Sequence, residues 1–149
     1  MKTMDVRLFR PYLDTSDLHS IKKAFDINWL GNGKYVQEFE SMWSKKFNSK
    51  YCLGLNSATA ALHLALAAFK FPKGKKVLVP SMTFSSTAMA VKYNNLEVVF
   101  VDVENTNLTM CCNDLIKKID KDCVAIIPVH YGGSACQMDL IMEIAKKNN

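Results

Sequence analysis

Three short apolar runs constrain this chain most: Val77-Leu78-Val79, Val98-Val99-Phe100-Val101 and Val124-Ala125-Ile126-Ile127. Each is continuously apolar, where a strand with one wet face would alternate, so each predicts a strand covered on both sides, as in parallel sheets. Helical patterns fill the gaps. The sequence predicts strands at Tyr51–Leu55, Lys76–Val79, Glu97–Asp102 and Cys123–Val129. It predicts helices at Thr59–Phe69, Ser85–Tyr93, Asp114–Ile119 and Met138–Lys147. A β-α unit repeated four times gives an α/β fold of three layers, α-β-α, around a mostly parallel sheet.

The first fifty residues differ in character. Thr15 or Ser16 can cap a helix over Asp17–Phe25, and Trp29-Leu30-Gly31-Asn32-Gly33 then breaks the pattern with two glycines. Val36, Phe39, Met42, Trp43 and Phe47 follow at helical spacing and predict an amphipathic helix with one buried face. The expected organisation is therefore an N-terminal helical segment over residues 1–50 and an α/β domain over residues 51–149. A length of 149 residues, with 49% hydrophobic and 22% charged, suits one ordinary folded domain and excludes a disordered chain.

The net charge of +5 is spread along the chain, so no nucleic-acid surface is expected. Five cysteines, Cys52, Cys111, Cys112, Cys123 and Cys136, are odd in number and include no C-x-x-C pair. That argues against a disulfide framework and against a metal site. The start Met1-Lys-Thr-Met-Asp-Val lacks an apolar leader core, and no apolar run is long enough to span a bilayer. A cytoplasmic location without membrane contact is the expectation, and there the Asn107–Thr109 glycosylation pattern carries no meaning.

In parallel α/β sheets, ligands bind beyond the carboxyl ends of the strands. Asn56-Ser57-Ala58-Thr59 opens the apolar helix at such an end. Its first amides lack intrahelical partners and carry the positive end of the helix dipole, and the residues are small enough for a phosphate to approach. The alternative is that Ser57 or Thr59 only caps the helix. No capping-box Glu or Gln is present, and no G-x-x-x-x-G-K points to a nucleoside triphosphate. Pro80–Thr87 places Phe84 among hydroxyl residues, either as a flat wall for a heteroaromatic ring or as core filling. His130-Tyr131-Gly132-Gly133 ends the fourth predicted strand, where His130 is either a ligand contact or a partner of a neighbouring loop. His19 and His63 read as structural, and three histidines so placed assemble no catalytic triad or metal cluster.

Taken together, Asn56–Leu66, Pro80–Thr87, Val98–Val103 and Ile126–Gly133, with Trp29–Gly33 and Val36–Glu40, resemble the DegT/StrS family of sugar-nucleotide aminotransferases in order and spacing. The resemblance runs over almost the whole chain. It implies the N-terminal part of an aspartate-aminotransferase-like large domain that holds pyridoxal 5′-phosphate and works as a homodimer. An amino acid, typically glutamate, would supply the amino group and a nucleotide-linked keto sugar would receive it. By position, Ser57, Ala58 and Thr59 resemble the phosphate seat and Phe84 the residue stacked on the pyridine ring. Asn28, Trp29, Leu30 and Gly31 resemble a turn that meets the sugar nucleotide.

The same resemblance implies that the aspartate facing the pyridine nitrogen and the cofactor-binding lysine lie beyond Asn149. No catalytic residue is therefore assigned, and the chain alone is expected to be inactive, with an apolar sheet edge that favours aggregation. Two alternatives stand beside the aminotransferase: a pyridoxal-phosphate sugar dehydratase of the same fold, and a non-catalytic binding module.

Overall fold

A computed structural model describes residues 10–148. Residues 1–9 of the expected helical segment, and Asn149 at the end of the expected α/β domain, lie outside the described residues. The chain divides into two compact units, Met1–Gly54 and Leu55–Asn149.

In the first unit α1 spans Thr15–Asp26 and α2 spans Lys34–Lys46. The cap of α1 is Asp14, where the sequence suggested Thr15 or Ser16. Its Oδ1 accepts from the Ser16 amide at 2.7 Å, and Asp17 accepts from the Asp14 amide at 2.8 Å, closing a capping box. The carboxylate prevails because a charged acceptor at a helix start is stronger than a hydroxyl. The Ser16 hydroxyl itself donates to Asp14, and these bonds hold the Asp14 carboxyl below its usual range.

The expected buried face of α2 is not found: no residue of the helix is buried, and Met42 is 71% exposed. Its aromatics instead pack along the helix on one another, with ring centroids 5.9 Å apart for Phe39–Trp43 and 4.5 Å for Trp43–Phe47. The predicted strand Tyr51–Leu55 is not a strand either. The Gly54 amide donates to Glu40 Oε1 at 2.7 Å, so a helix side chain takes the bond that a sheet ladder would need. An added Cβ at Gly54 would sit 3.1 Å from Val36, so this close docking favours glycine. The β-α unit is consequently repeated three times in the sheet, not four.

The second unit begins with α3, Ala58–Phe69, one residue earlier than the pattern predicts. It continues with β1 Lys76–Pro80, α4 Ser85–Tyr93, β2 Glu97–Val101, α5 Cys112–Lys118, β3 Cys123–Ile126 and α6 Met138–Lys147. The sheet has the order β2-β1-β3 and is parallel throughout, with Leu78 opposite Val99 on one side and Ile126 on the other. β3 is shorter than expected because Pro128 has no amide to donate; the last bond runs from the Ile127 amide to the Leu78 carbonyl. α5 starts two residues before the predicted Asp114. That residue faces back to β2, its Oδ2 accepting from the Asp102 amide at 2.7 Å.

β1 is buried on both faces. Val77 and Val79 pack with Leu66, Ala90, Val91 and Leu96, under α3 and α4. Leu78 points the other way, toward Val101, Met110, Leu115, Ile141 and Ile144, under α5 and α6. The alternation of the strand thus divides the core into two halves and produces the three layers read from the sequence. Because parallel crossovers are right-handed, moving from β1 to β2 and then back past β1 to β3 places α4 and α5 on opposite faces.

At the amino end of the sheet Lys75 pairs with Asp122 at 2.7 Å and Lys76 with Asp120 at 2.6 Å. The bond from Lys76, helped by the Asp122 amide, holds the Asp120 carboxyl down to about 2 from its ordinary 3.8. A depressed carboxylate stabilises the fold above its unfolded pKa and loses that contribution as pH falls through the folded one. Asp120→Asn should therefore lower stability modestly at pH 7, where the pair contributes fully, and flatten the decline between about pH 4 and pH 2, the two proteins converging at the acid end. Urea melts of both proteins at those values check this; an unchanged acid slope would show that the pair does not couple the strands.

Candidate cofactor site

Hydrogen bonds at the amino end of the sheet fix the direction of the helices. The Gly74 amide, after α3, donates to the Asn95 carbonyl, after α4, at 2.9 Å, and the Glu97 amide donates to Lys75. Both helices therefore end at the amino side of the strands and begin at the carboxyl side. Ser57–Thr59 and Phe84 accordingly lie at the same end of the sheet.

At the start of α3 the Ser57 hydroxyl accepts from the Ala60 amide at 3.1 Å, so Ser57 does cap the helix. Capping does not use up the site: the Ala58 and Thr59 amides have no hydrogen-bond partner among the described residues, and the first turn holds no acidic residue. Two free amides and the positive end of a twelve-residue helix dipole meet at the start of α3, with the Ser57 and Thr59 hydroxyls in the same turn. That donor set fits a phosphate dianion.

Phe84 precedes α4 with extended backbone and 76% of its surface exposed, so its ring is not core filling. Pro80 is buried, and the Ser81 amide donates to the Val101 carbonyl at 2.7 Å, fixing where the loop leaves the strand. Thr83 and Thr87 join their hydroxyls at 2.8 Å across the start of α4, a brace the sequence showed only as hydroxyl-rich composition. The helix after β1 lies on one face of the sheet and the helices after its neighbours β2 and β3 lie on the other. The connections part at the carboxyl end of β1, where such sheets form their ligand crevice.

The turn expected to meet substrate belongs to the first unit. Asn28 is left-handed at φ 52°, and its amide donates to the Phe25 carbonyl. The Trp29 indole folds over the turn and donates Nε1–H to the Asn32 carbonyl at 3.0 Å. A Cβ at Gly33 would come within 2.8 Å of that indole, and one at Gly31 within 3.6 Å, so glycine is needed at Gly33 for the fold-over. Leu30 is exposed. Trp29 thus spends its only side-chain donor inside the turn.

Solved structures with this architecture include the aminotransferase from Psychrobacter cryohalolentis, with a TM-score of 0.88 and 26% identity over 93% of this chain and 36% of that one. The E. coli GDP-4-keto-6-deoxy-D-mannose-3-dehydratase with bound hydrated PLP matches at 0.87 and 26% over 95% and 38%. Fold and crevice therefore define an α/β domain of the class used by pyridoxal-phosphate-dependent sugar aminotransferases. Residues 11–149 match the DegT/DnrJ/EryC1/StrS aminotransferase family, and the chain belongs to it. GDP-perosamine synthase of Escherichia coli O157:H7 is 32% identical over 145 residues, which is 97% of this chain and 40% of that protein. The chain spans about two-fifths of the length of these relatives.

Proposed function

We propose that this chain is the cofactor-holding part of a pyridoxal-phosphate-dependent aminotransferase that moves an amino group from an amino acid, glutamate by preference, to a nucleotide-linked keto sugar. The single observation that carries the reading is that the free amides of Ala58 and Thr59 and the exposed ring of Phe84 lie at the same end of a parallel sheet. In this reading residues 51–149 hold the cofactor and residues 1–50 carry the substrate turn.

Pyridoxal phosphate supplies the electron sink that lets an amino group leave one carbon and join another. Ser57, Ala58 and Thr59 bind its phosphate, and Phe84 fixes the plane of its ring by stacking. Asn28–Gly31 offer a preformed turn to the sugar nucleotide. The working protein is a homodimer in the cytoplasm; five free thiols and the lack, among the described residues, of any helix able to cross a membrane agree with that setting. The name of the E. coli relative favours a GDP-linked sugar.

A second reading, a sugar dehydratase, is favoured by the likeness to the dehydratase structure. Incubating the full-length protein with pyridoxal phosphate, glutamate and GDP-4-keto-6-deoxymannose tests both, with products followed by mass spectrometry. An amino sugar and 2-oxoglutarate are expected. A 3-deoxy keto sugar would establish the dehydratase, and cofactor binding without turnover of any keto sugar would leave a binding module.

Phe84→Ala should weaken retention of pyridoxal phosphate about tenfold, the scale of an aromatic stacking contact, with an unchanged melting curve because the ring is exposed. Equilibrium dialysis checks it. Undiminished affinity would remove Phe84 from the site.

A further inference from the structure

At the carboxyl end of β3, His130 precedes a tight 3-10 turn at Tyr131–Gly133, in which Gly132 and Gly133 take φ of 59° and 85°. No neighbouring atom would obstruct a Cβ at either glycine, so the left-handed backbone alone calls for them. The chain then returns to its own starting point. The Cys136 amide donates to His130 Nδ1 at 3.1 Å, and the buried Cys136 thiol donates to the Val129 carbonyl at 3.2 Å. One residue thus pins the loop to the end of the strand twice.

The first of these bonds has a chemical consequence. An Nδ1 that accepts from a backbone amide carries no proton, so the neutral ring carries its proton on Nε2. Nε2 has no partner among the described residues, and His130 is exposed. The register Leu78–Ile126 brings β3 out of the sheet beside β1. His130, four residues past β3, therefore follows the strand out at the carboxyl end of the sheet, the end at which the helices after β1 and β3 part to opposite faces. A sequence-level reading leaves His130 between loop brace and ligand contact; the structure gives its two nitrogens different tasks.

We propose that His130 is a ligand-contacting residue of this site, a neutral imidazole held by the Cys136 amide at Nδ1 so that Nε2–H donates to an oxygen of the molecule bound at the strands' carboxyl ends. This rests on the function proposed above. The acceptor is an oxygen of the cofactor or of the nucleotide sugar, and two binding measurements separate these sources.

Two substitutions split the tasks. His130→Asn keeps an acceptor near the Nδ1 position and removes the reach of Nε2, while His130→Gln restores a donor at that distance. In the full-length protein His130→Asn should melt with the wild type yet bind pyridoxal phosphate, or GDP in the cofactor-loaded protein, about fivefold more weakly, the size of one neutral hydrogen bond. His130→Gln should recover part of the loss. Should either variant misfold, 15N-histidine spectra of the wild type carry the test: the His130 Nε2–H resonance should shift on adding the same two probes while that of His63 stays. Wild-type affinity for both probes in His130→Asn, or an unmoved His130 resonance, would overturn the proposal. Failure of the wild type itself to bind pyridoxal phosphate would overturn the site's whole reading.

Discussion

Leu78→Ala is expected to cost about 3 kcal/mol of stability, within the range of roughly 2–5 for a fully buried leucine. Leu78 has no exposed surface, lies in the middle strand, and is the one β1 side chain directed into the α5–α6 half of the core. Truncating it leaves a cavity bounded by Val101, Met110, Leu115 and Ile141, which belong to four different segments and cannot all collapse inward. For a chain of this size the loss should lower the melting temperature by about 10 °C. Leu64→Ala is the control: on α3 with 46% of its surface exposed, it should cost less than about 1 kcal/mol. Urea melts of the two variants side by side test the layering. Equal costs would mean that β1 is not the axis of the fold.

The second large effect concerns ligand binding. Thr59→Asp should lower affinity for pyridoxal phosphate by about a hundredfold or more, since a carboxylate at the second position of α3 meets a dianion at a few ångströms, a repulsion on the order of 3 kcal/mol. The same substitution should leave stability unchanged or slightly raised, because acids in a first turn favour the helix dipole. Those opposite signs make the variant informative. A fall in both affinity and stability would mean that the helix start had been damaged; a fall in neither would mean that the phosphate sits elsewhere. Equilibrium dialysis with pyridoxal phosphate, paired with a thermal melt, supplies both readings.

The sheet was legible because its three strands are apolar without interruption, although the two-sided cover expected of all three holds only for β1: Phe100 of β2 is half exposed and no residue of β3 is fully buried, since both are edge strands. Tyr51–Leu55 misled for a physical reason: its apolar residues suit a strand, but the decisive bond is that of the Gly54 amide to Glu40, fourteen residues earlier, and no local pattern reveals such a partner. The stripe of α2 was legible as a helix face but not as an exposed one, since periodicity reports amphipathicity and leaves open what covers it. Ser57 shows the limits of an either-or reading. It is a cap, and the two amides beside it stay free, because one hydroxyl satisfies only one of the orphan donors. The tautomer of His130 could not be read from His-Tyr-Gly-Gly, as it depends on the return of Cys136 through two left-handed glycines. The brace of Trp29 on Gly33 was likewise hidden, although a tryptophan four residues before a glycine in a turn could have suggested it.

The most direct measurement is a crystal structure of the full-length protein grown with pyridoxal 5′-phosphate. The phosphate should lie within hydrogen-bond distance of the Ala58 and Thr59 amides, with the pyridine ring stacked on Phe84. A phosphate bound away from the start of α3, or a ring that leaves Phe84 uncovered, would contradict the assignment of this sheet end as the cofactor site.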